Sequence, residues 1–238
     1  MPNKSVLITG GSQGLGAKLV KIFDDFGWNT TATQAEDSRL PSYMNLLDRG
    51  DIYNVAGLFN NGLDVLICSA AINNQVEFSS TEDWCHDSMR TMNVNWYGNC
   101  LLISLLLPQL RKNKGIVCAV ISDAAIKPMR YSLAYCASKA AMAMSIKVMA
   151  RELTKQTGIT FFGVSPGKMK NTRMSEQIDR DAARMRGWSV AEAREYQLSQ
   201  LVTGEEADPT QIADLIYELC CDKERAKTLS GAIIPLGG

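Results

Sequence analysis

The chain has 238 residues, of which 46% are hydrophobic and 21% charged, and its 25 lysines and arginines balance 25 aspartates and glutamates. A chain of this length can bury a substantial core, and α/β folds of this size often form one unit, so we expect a single domain spanning residues 1–238. The formal net charge of zero argues against a broad basic surface for nucleic acid.

Six short aliphatic and β-branched runs recur along the chain, with segments long enough for helices between them. Because the runs are continuously hydrophobic rather than alternating, they are typical of parallel strands covered on both faces. The pattern predicts an α/β fold with a doubly wound, mostly parallel central sheet of about seven strands flanked by helices, in which ligands bind beyond the carboxyl ends of the strands. The runs are residues 6–9, 30–33, 65–69, 116–122, 159–164 and 232–236.

A glycine-rich segment, TGGSQGLG at residues 9–16, lies between the first predicted strand and the first predicted helix. Gly10, Gly14 and Gly16 would allow a tight turn, close approach of the backbone to a pyrophosphate, and close packing of the helix on the strand. The N-terminus of that helix would face the anion. Ordinary turns also use glycines, but this position in the chain favours dinucleotide binding.

The strongest apolar run, CLLISLLL at residues 100–107, is followed by Pro108. It falls well short of the ~20 residues that a membrane-spanning helix needs, so it predicts a buried helix and no membrane association. We find no secretion signal at the start of the chain. The seven cysteines are scattered, CxxC spacing is absent and there is one histidine, which indicates a reduced, cytoplasmic protein without a zinc-type metal site.

Tyr135 and Lys139, in the segment YCASK, lie four residues apart and therefore share one face of a predicted helix. Two amphipathic side chains on a surface helix would show the same spacing. A tyrosine acting as an acid or base near neutrality needs its pKa, about 10, lowered by ~3 units, and a nearby ammonium shifts it in that direction. Ser122, at the end of the run GIVCAVIS, can hydrogen-bond a substrate oxygen or simply cap a turn.

Residues 168–203 follow the fifth predicted strand, and their first part, residues 168–188, is the least regular stretch of the chain. We expect residues 168–203 to form a mobile flap over the substrate. Six basic residues between positions 168 and 187 outnumber three acidic ones. This excess favours either attraction of an anionic substrate or a solvated, charge-rich surface.

Together these features resemble the classical short-chain dehydrogenase/reductase family. The family fingerprint TGxxxGxG matches residues 9–16, and YxxxK matches residues 135–139. The resemblance extends to NVNWYG around Asn95, to Ser122 thirteen residues before the tyrosine, to SPG at residues 165–167 and to the closing SGAIIPLGG. It covers nearly the whole chain and implies a single NAD(P)-binding Rossmann domain whose reaction requires no metal.

The resemblance also implies the roles of the site residues. Tyr135 is implied as the acid or base, Lys139 as the cation that lowers its pKa and binds the cofactor ribose, and Ser122 as the group that orients the substrate oxygen. Asn95 is implied to hold a water and a distorted helix turn connecting Lys139 to solvent; an ordinary buried helix asparagine is the alternative. The implied cofactor contacts are Gly10, Ser12, Gln13, Gly14, Leu15, Gly16, Gln34, Asn45, Leu46, Ser69, Ala70, Ala71, Tyr135, Lys139, Pro166, Gly167, Met169 and Thr172.

The chain departs from the family pattern around the cofactor. The usual Asn-Asn-Ala-Gly is CSAAI at residues 68–72, and the threonine after the SPG proline, Thr172, falls one position late. The position at the end of the second strand, where an acidic residue usually confers preference for NAD, is Gln34. Because that acid is missing we favour NADP over NAD, although Gln13 replaces the basic residue of many NADP-dependent relatives and only Arg39 lies nearby.

The expected function is hydride transfer between a nicotinamide cofactor and a small-molecule carbonyl or alcohol, as in an NADPH-linked carbonyl reductase. A 3-oxoacyl-(acyl-carrier-protein) reductase is one alternative, although Asn113 and Thr157 stand where such enzymes have carrier-docking arginines. A non-enzymatic dinucleotide-binding regulator is the other. The run ASKAAMAMS and the helix around residues 101–107 are similar to helices that relatives pair, so we expect a homodimer or homotetramer.

Overall fold

The computed structural model describes residues 4–35 and 43–236, so Arg39, Gly237 and Gly238 lie outside the described residues. Its strands are β1 (Ser5–Thr9), β2 (Asn29–Ala32), β3 (Val65–Cys68), β4 (Ile116–Val120), β5 (Thr160–Pro166) and β6 (Ile233–Leu236). Each predicted run matches a strand within two residues at either end. Every pairing is parallel, which confirms the predicted α/β sheet.

The strand order positions the site. Within the described residues the sheet is six-stranded, in the order β2-β1-β3-β4-β5-β6. The chain therefore starts near the middle, moves outward to β2, and then crosses back to build the other half from β3 onward. In such a sheet the crevice beyond the carboxyl ends of β1 and β3, where the winding direction reverses, is where ligands bind.

The prediction of about seven strands is one too many for the described part of the chain. Next to β2 there is only an isolated parallel bridge between Gln34 and Tyr43, with one hydrogen bond from the amide of Met44 to the carbonyl of Gln34 at 2.9 Å. The chain turns immediately afterwards, because the amide of Asp48 donates to the carbonyl of Asn45 at 2.8 Å. This turn ends the pairing on the C-terminal side of Tyr43.

Helices cover both faces of the sheet. They are α1 (Gly14–Asp25), α2 (Arg49–Ala56), α3 (Thr81–Met92), α4 (Gly98–Asn113), α5 (Leu133–Thr157), α6 (Arg173–Arg186), α7 (Val190–Ser199), α8 (Pro209–Cys221) and α9 (Lys223–Lys227). One core layer joins alternate strand residues such as Leu7 to helices α2, α4 and α5, and the other joins residues such as Val6 and Ile8 to α1, α8 and α9. This alternation follows from the two-residue period of a strand.

The apolar run at residues 100–107 is helical, as predicted, and the helix continues through Pro108 to Asn113. Its buried residues include Leu102, Leu106 and Leu110, which belong to the core beside β3 and β4. In residues 4–35 and 43–236, every helix is too short or too polar to cross a lipid bilayer.

The prediction that residues 168–188 are the least regular stretch is wrong. Helix α6 occupies most of it, because the side chain of Thr172 caps its first turn by accepting from the amide of Ser175, and Gly187 ends it in the left-handed conformation. Helix α7 then starts with a capping box between Ser189 and Glu192. Local capping signals therefore outweighed the irregular appearance of the sequence.

Candidate active site

A cavity of about 630 Å³ opens at the carboxyl ends of the strands. Residues that directly follow three of the strands lie on its wall, namely Gly10 after β1, Ser69 after β3 and Gly167 after β5. All the positions that the family resemblance implied as cofactor contacts line this one cavity, and Ser122 lines it as well. Asn95 is the predicted site residue that does not line the wall.

The glycine turn forms one end of the cavity. Gly10 and Gly14 have φ angles of +70° and +54°, which glycine adopts without strain. A Cβ on Gly16 would lie 2.0 Å from the carbonyl oxygen of Gly10, so helix and turn touch closely. The N-cap of α1, Gln13, makes no side-chain capping hydrogen bond. The first backbone amides of α1 lie beside the cavity, and the N-cap side chain does not accept hydrogen bonds from them. An anionic group in the cavity can therefore accept from these amides.

The hydroxyl of Thr9 holds the loop after β3, a role that the sequence reasoning missed. Thr9 is fully buried at the end of β1. Its Oγ1 accepts hydrogen bonds from the amides of Ser69 and Ala70, both at 3.0 Å. A Cβ on Gly10 would lie 2.8 Å from the Cα of Ala70. The small residues that replace the family's usual amide side chains are thus fixed against the glycine turn by backbone contacts.

The segments after β2 and before α2 form a further part of the cavity wall, next to the glycine turn. Gln34 and Leu46 lie on this part of the wall together with Asn45, whose side chain is occupied in a turn and accepts from the amide of Leu47 at 3.0 Å. The carboxylate of Asp51, in the first turn of α2, accepts from the amide of Asn45 at 3.1 Å. These two hydrogen bonds fix the backbone of this part of the wall.

Ser122, Tyr135 and Lys139 meet on one wall of the cavity. Ser122 follows β4, whereas Tyr135 and Lys139 lie one turn apart near the start of α5, and all three side chains are buried. The ammonium of Lys139 lies 5.7 Å from the centre of the Tyr135 ring and donates to the carbonyl of Val120 at 2.8 Å. The end of β4 and the start of α5 therefore bring together a hydroxyl, a phenol and a cation.

The pKa of Tyr135 is raised in this structure, whereas a role near neutrality was expected to need a lowered one. Burial raises the pKa of the Tyr135 phenol to about 12, although hydrogen bonding to Ser122 lowers it in part. Burial also lowers the pKa of the Lys139 ammonium to about 8. Both groups lose water, and desolvation disfavours the charged form of each.

Asp123 is a further site residue that the sequence reasoning missed. Its carboxylate accepts from the hydroxyl of Ser122 at 3.0 Å, and it lies on the cavity wall. Its negative charge also contributes to the raised pKa of Tyr135. Ser122 additionally caps the short helical turn that follows, by accepting from the amide of Ala124 at 3.2 Å. Both interpretations of Ser122 therefore have support, because one hydroxyl faces the cavity and caps a turn.

Asn95 lies behind the wall, in a π-helical turn, Asn93–Tyr97, that joins α3 to α4. Its side-chain oxygen accepts from the amide of Ile72 at 2.8 Å, and its side-chain nitrogen donates to the carbonyl of Ile72 at 2.9 Å and to the hydroxyl of Ser138 at 3.0 Å. The distorted helix turn is as expected. Asn95 thereby connects the loop after β3 to helix α5, on which Lys139 lies next to Ser138.

Helices α6 and α7 contribute to the cavity wall and are tied to the segment after β5 by buried charges. Lys168, just after β5, pairs with Asp179 of α6 at 2.6 Å and with Glu206 at 2.9 Å. Arg194 of α7 pairs with Glu206 at 2.9 Å and with Asp179 at 3.5 Å. Burial raises the pKa of Glu206, but hydrogen bonds from Ser175 and Lys168 outweigh it and hold the pKa below its usual value.

Most of the positive charge between residues 168 and 187 is paired. Besides Lys168, three of the basic side chains make ion pairs at the surface. These pairs are Lys170–Asp208, Arg180–Glu176 and Arg184–Asp181. The charge excess in the sequence therefore overstates the field that a substrate would meet, because partners such as Asp208 lie outside residues 168–187.

Among all the described residues, no group of three or more histidine, cysteine or carboxylate side chains is arranged to hold a metal ion.

Comparison with known proteins shows what the chain is similar to. The family model for short chain dehydrogenases matches residues 51–183. A 3-oxoacyl-[acyl-carrier-protein] reductase of Rickettsia felis is 23% identical over 250 residues, covering 100% of this chain and 97% of its own. The uncharacterised oxidoreductase DltE of Bacillus subtilis is 25% identical and covers 87% of both chains.

Solved structures share the whole fold. An actinorhodin polyketide ketoreductase variant, solved with NADPH, superposes with a TM-score of 0.87 at 17% identity and covers 99% of this chain and 97% of its own. A short chain dehydrogenase family protein from Francisella tularensis has a TM-score of 0.82 at 24% identity, with coverage of 98% and 96%. At these identities the structures establish a common architecture.

Proposed function

Because the chain belongs to the short-chain dehydrogenase family and is an oxidoreductase of that family, we propose that it is an NADPH-linked ketoreductase acting on a small carbonyl compound. The observation that carries the proposal is that Ser122, Tyr135 and Lys139 line the same cavity as the glycine turn. A hydride donor held at that turn and a carbonyl held at these three side chains would share one enclosed space.

The residues present fit a dinucleotide. The glycine turn admits close backbone approach, and the start of α1 offers amides without a side-chain cap. Gln34, which lines the cavity, stands at the position after the second strand where a preference for NAD usually depends on a carboxylate. This supports NADPH as the preferred cofactor. When bound, its nicotinamide supplies the hydride.

We assign the proton chemistry to the chain's own residues. The hydroxyl of Ser122 turns from Asp123 to the carbonyl oxygen of the substrate and orients it. The phenol of Tyr135 then donates its proton to that oxygen. Because its pKa is raised, the phenol still carries this proton at neutral pH. The ammonium of Lys139 stabilises the phenolate that is left, and Asn95 fixes the helix turn and loop behind it.

Two further expectations complete the proposal. Residues 168–203, which include α6 and α7, act as the cover over the substrate end of the cavity. The chain forms a homodimer or homotetramer, supported by exposed apolar side chains on α5 such as Met144 and Val148, 59% and 44% exposed. The similarity to the Rickettsia felis reductase supports a 3-oxoacyl group on an acyl-carrier protein as the alternative substrate.

The proposal is tested by cofactor titration followed by a substrate panel. We expect NADPH to bind more tightly than NADH by fluorescence titration, and the NADPH-loaded protein to reduce ketones in a panel followed by nicotinamide absorbance. The panel includes a 3-oxoacyl thioester with and without its carrier protein. Tight NADPH binding without turnover of any ketone would instead support a regulator that binds the nucleotide.

The pKa of Lys139 gives the proposed reaction a pH limit. In carbonyl reduction, Tyr135 must be protonated and Lys139 charged. With pKa values of about 12 and about 8, the lysine is the first to lose its active form as the pH rises. We therefore expect kcat/KM for NADPH to be constant below pH ~8 and to fall about tenfold per unit above it, since this parameter reports the free enzyme.

The matched variant for this profile is Lys139→Arg. A guanidinium stays charged throughout the range, so the decline should move to higher pH even if the maximal rate is lower. A wild-type profile that stays flat between about pH 7 and about 10 would contradict the role given to Lys139.

A further inference from the structure

Basic side chains outnumber acidic ones on the cavity wall. Asp123 is the one carboxylate on the wall within the described residues. The basic residues on it are Arg90, Lys127, Arg130, Lys139, Lys168, Arg173 and Arg186. Some of this charge is neutralised or engaged, since Lys168 pairs with two buried carboxylates and Lys139 donates to a backbone carbonyl.

Arg186 differs from the other arginines of helix α6. Its guanidinium carbon lies 4.7 Å from the ring centre of Trp188 and 4.5 Å from that of Tyr196, so two aromatic rings hold it in place. Its Nε is buried without a hydrogen-bond partner, and in the part of the chain that the structure describes we find no ion pair for it. By contrast, Arg180 and Arg184 both pair with carboxylates on their own helix.

The stacking leaves the donors of Arg186 unused. A guanidinium carries five N–H donors in a planar fork that matches the two oxygens of a carboxylate. The rings of Trp188 and Tyr196 contact its face and offer no acceptor in that plane. The arrangement therefore orients a cation, at the edge of a cavity, with hydrogen bonds still to be made.

Arg186 is too far from the glycine turn to bind a pyrophosphate there. Helix α6 starts beside that turn, because a Cβ on Gly14 would lie 3.6 Å from the side chain of Thr172. Arg186 is the last of its 14 residues, which places it about 20 Å away along the helix axis.

The far end of α6 lies instead on the side of the proposed reaction centre. Gln177 donates to the side chain of Asn74 at 3.0 Å, and Arg184 donates to the carbonyl of Gln75 at 3.3 Å. The next residue, Val76, donates its amide to the carbonyl of Tyr131 at 2.7 Å, four residues before Tyr135. Through these contacts the end of α6 is tied to the loop that precedes the proposed acid.

We infer that Arg186 is the binding site for a carboxylate on the substrate, so that the preferred substrate is an oxo acid whose ketone reaches Tyr135 while its carboxylate pairs with the guanidinium. This inference rests on the proposed ketoreductase function. It assigns substrate specificity to a residue that takes no part in proton or hydride transfer.

The test compares each member of a series of aliphatic oxo acids, of increasing chain length, with its own methyl ester. For at least one chain length, wild type should prefer the acid by about ten- to a hundredfold in kcat/KM, the range expected for a charge-assisted hydrogen-bonded pair. In Arg186→Met that preference should vanish, with the ester turned over as before. Arg180→Met is the matched control, since Arg180 pairs with the exposed Glu176 and is not part of the cavity wall, and it should keep the wild-type preference.

The ratio of acid to ester separates specificity from folding, because a loss of active protein lowers both rates equally. An unchanged ratio in Arg186→Met, or no preference in wild type, overturns the inference. If wild type reduces neither compound, the ketoreductase proposal fails, and calorimetric titration of the NADPH-loaded protein with a saturated carboxylate and its ester still decides on Arg186. Equal binding of the two ligands, or acid binding that survives in Arg186→Met, would then refute the site.

Discussion

Tyr135→Phe is expected to lower kcat for carbonyl reduction by about 10²–10⁴-fold, the usual contribution of a positioned general acid. The phenol is the group that holds a proton on the cavity wall beside Ser122, and its pKa of about 12 keeps that proton in place at neutral pH. Phenylalanine retains the buried ring and its contact with the Lys139 ammonium, so the fold should survive. Affinity for NADPH, measured by fluorescence titration, should change by less than about threefold.

The neighbouring Tyr131 supplies the control for this variant. It lies just before helix α5, is held through its backbone carbonyl by Val76, and is not part of the cavity wall. Tyr131→Phe should therefore keep kcat within about twofold of wild type. Retention of more than about a tenth of wild-type turnover in Tyr135→Phe would show that the proton comes from elsewhere.

Gly16→Ala is expected to destabilise the protein by at least about 4 kcal/mol, which is large for one methyl group. Its new Cβ would lie 2.0 Å from the backbone oxygen of Gly10, so helix α1 would have to move away from the turn. We expect a fall of about 10 °C in the midpoint of thermal unfolding, and loss of NADPH binding, because the amides of the helix start would be displaced.

Gly187→Ala is the matched control, since both changes add one methyl group to a glycine. Gly187 has a φ of +68°, but nothing lies within 4 Å of the place that the new Cβ would occupy, so only the backbone strain of about 1–2 kcal/mol is at stake. A Gly16→Ala protein that melts within about 2 °C of wild type would show that the turn is looser than the contact implies.

The sheet was predictable because its signal is local. Each buried strand is a continuous apolar run, and the glycine turn follows the first of them. That the described residues form six strands rather than seven was not predictable from such runs, because the pairing after Tyr43 depends on where the chain turns at Asn45 and Asp48. Helix α6 was missed for a related reason: half of its residues are charged, and the capping by Thr172 that starts it was not recognised as a signal.

The positions of the site residues were more predictable than their pKa values. Family spacing located Ser122, Tyr135 and Lys139, which do line one cavity. The raised pKa of Tyr135 was not predictable, because it depends on burial, which a spacing of four residues does not report. Asp123 was missed since an aspartate beside a serine has no pattern of its own, and the fingerprint that contains Thr9 does not show that its hydroxyl binds the loop after β3.

The π-helical turn at Asn93–Tyr97 constrains how this chain can change in length. Such a turn contains one residue more than an α-helical turn, and here that surplus residue keeps α3 and α4 packed while directing Asn95 toward Ile72 and Ser138. Losing one residue would restore a regular helix but rotate everything on one side of it by about 100°. A substitution that keeps Asn95 and the length of this segment is therefore tolerable. Deletion of one residue would instead misalign either the cavity wall in front of Asn95 or the core around α4.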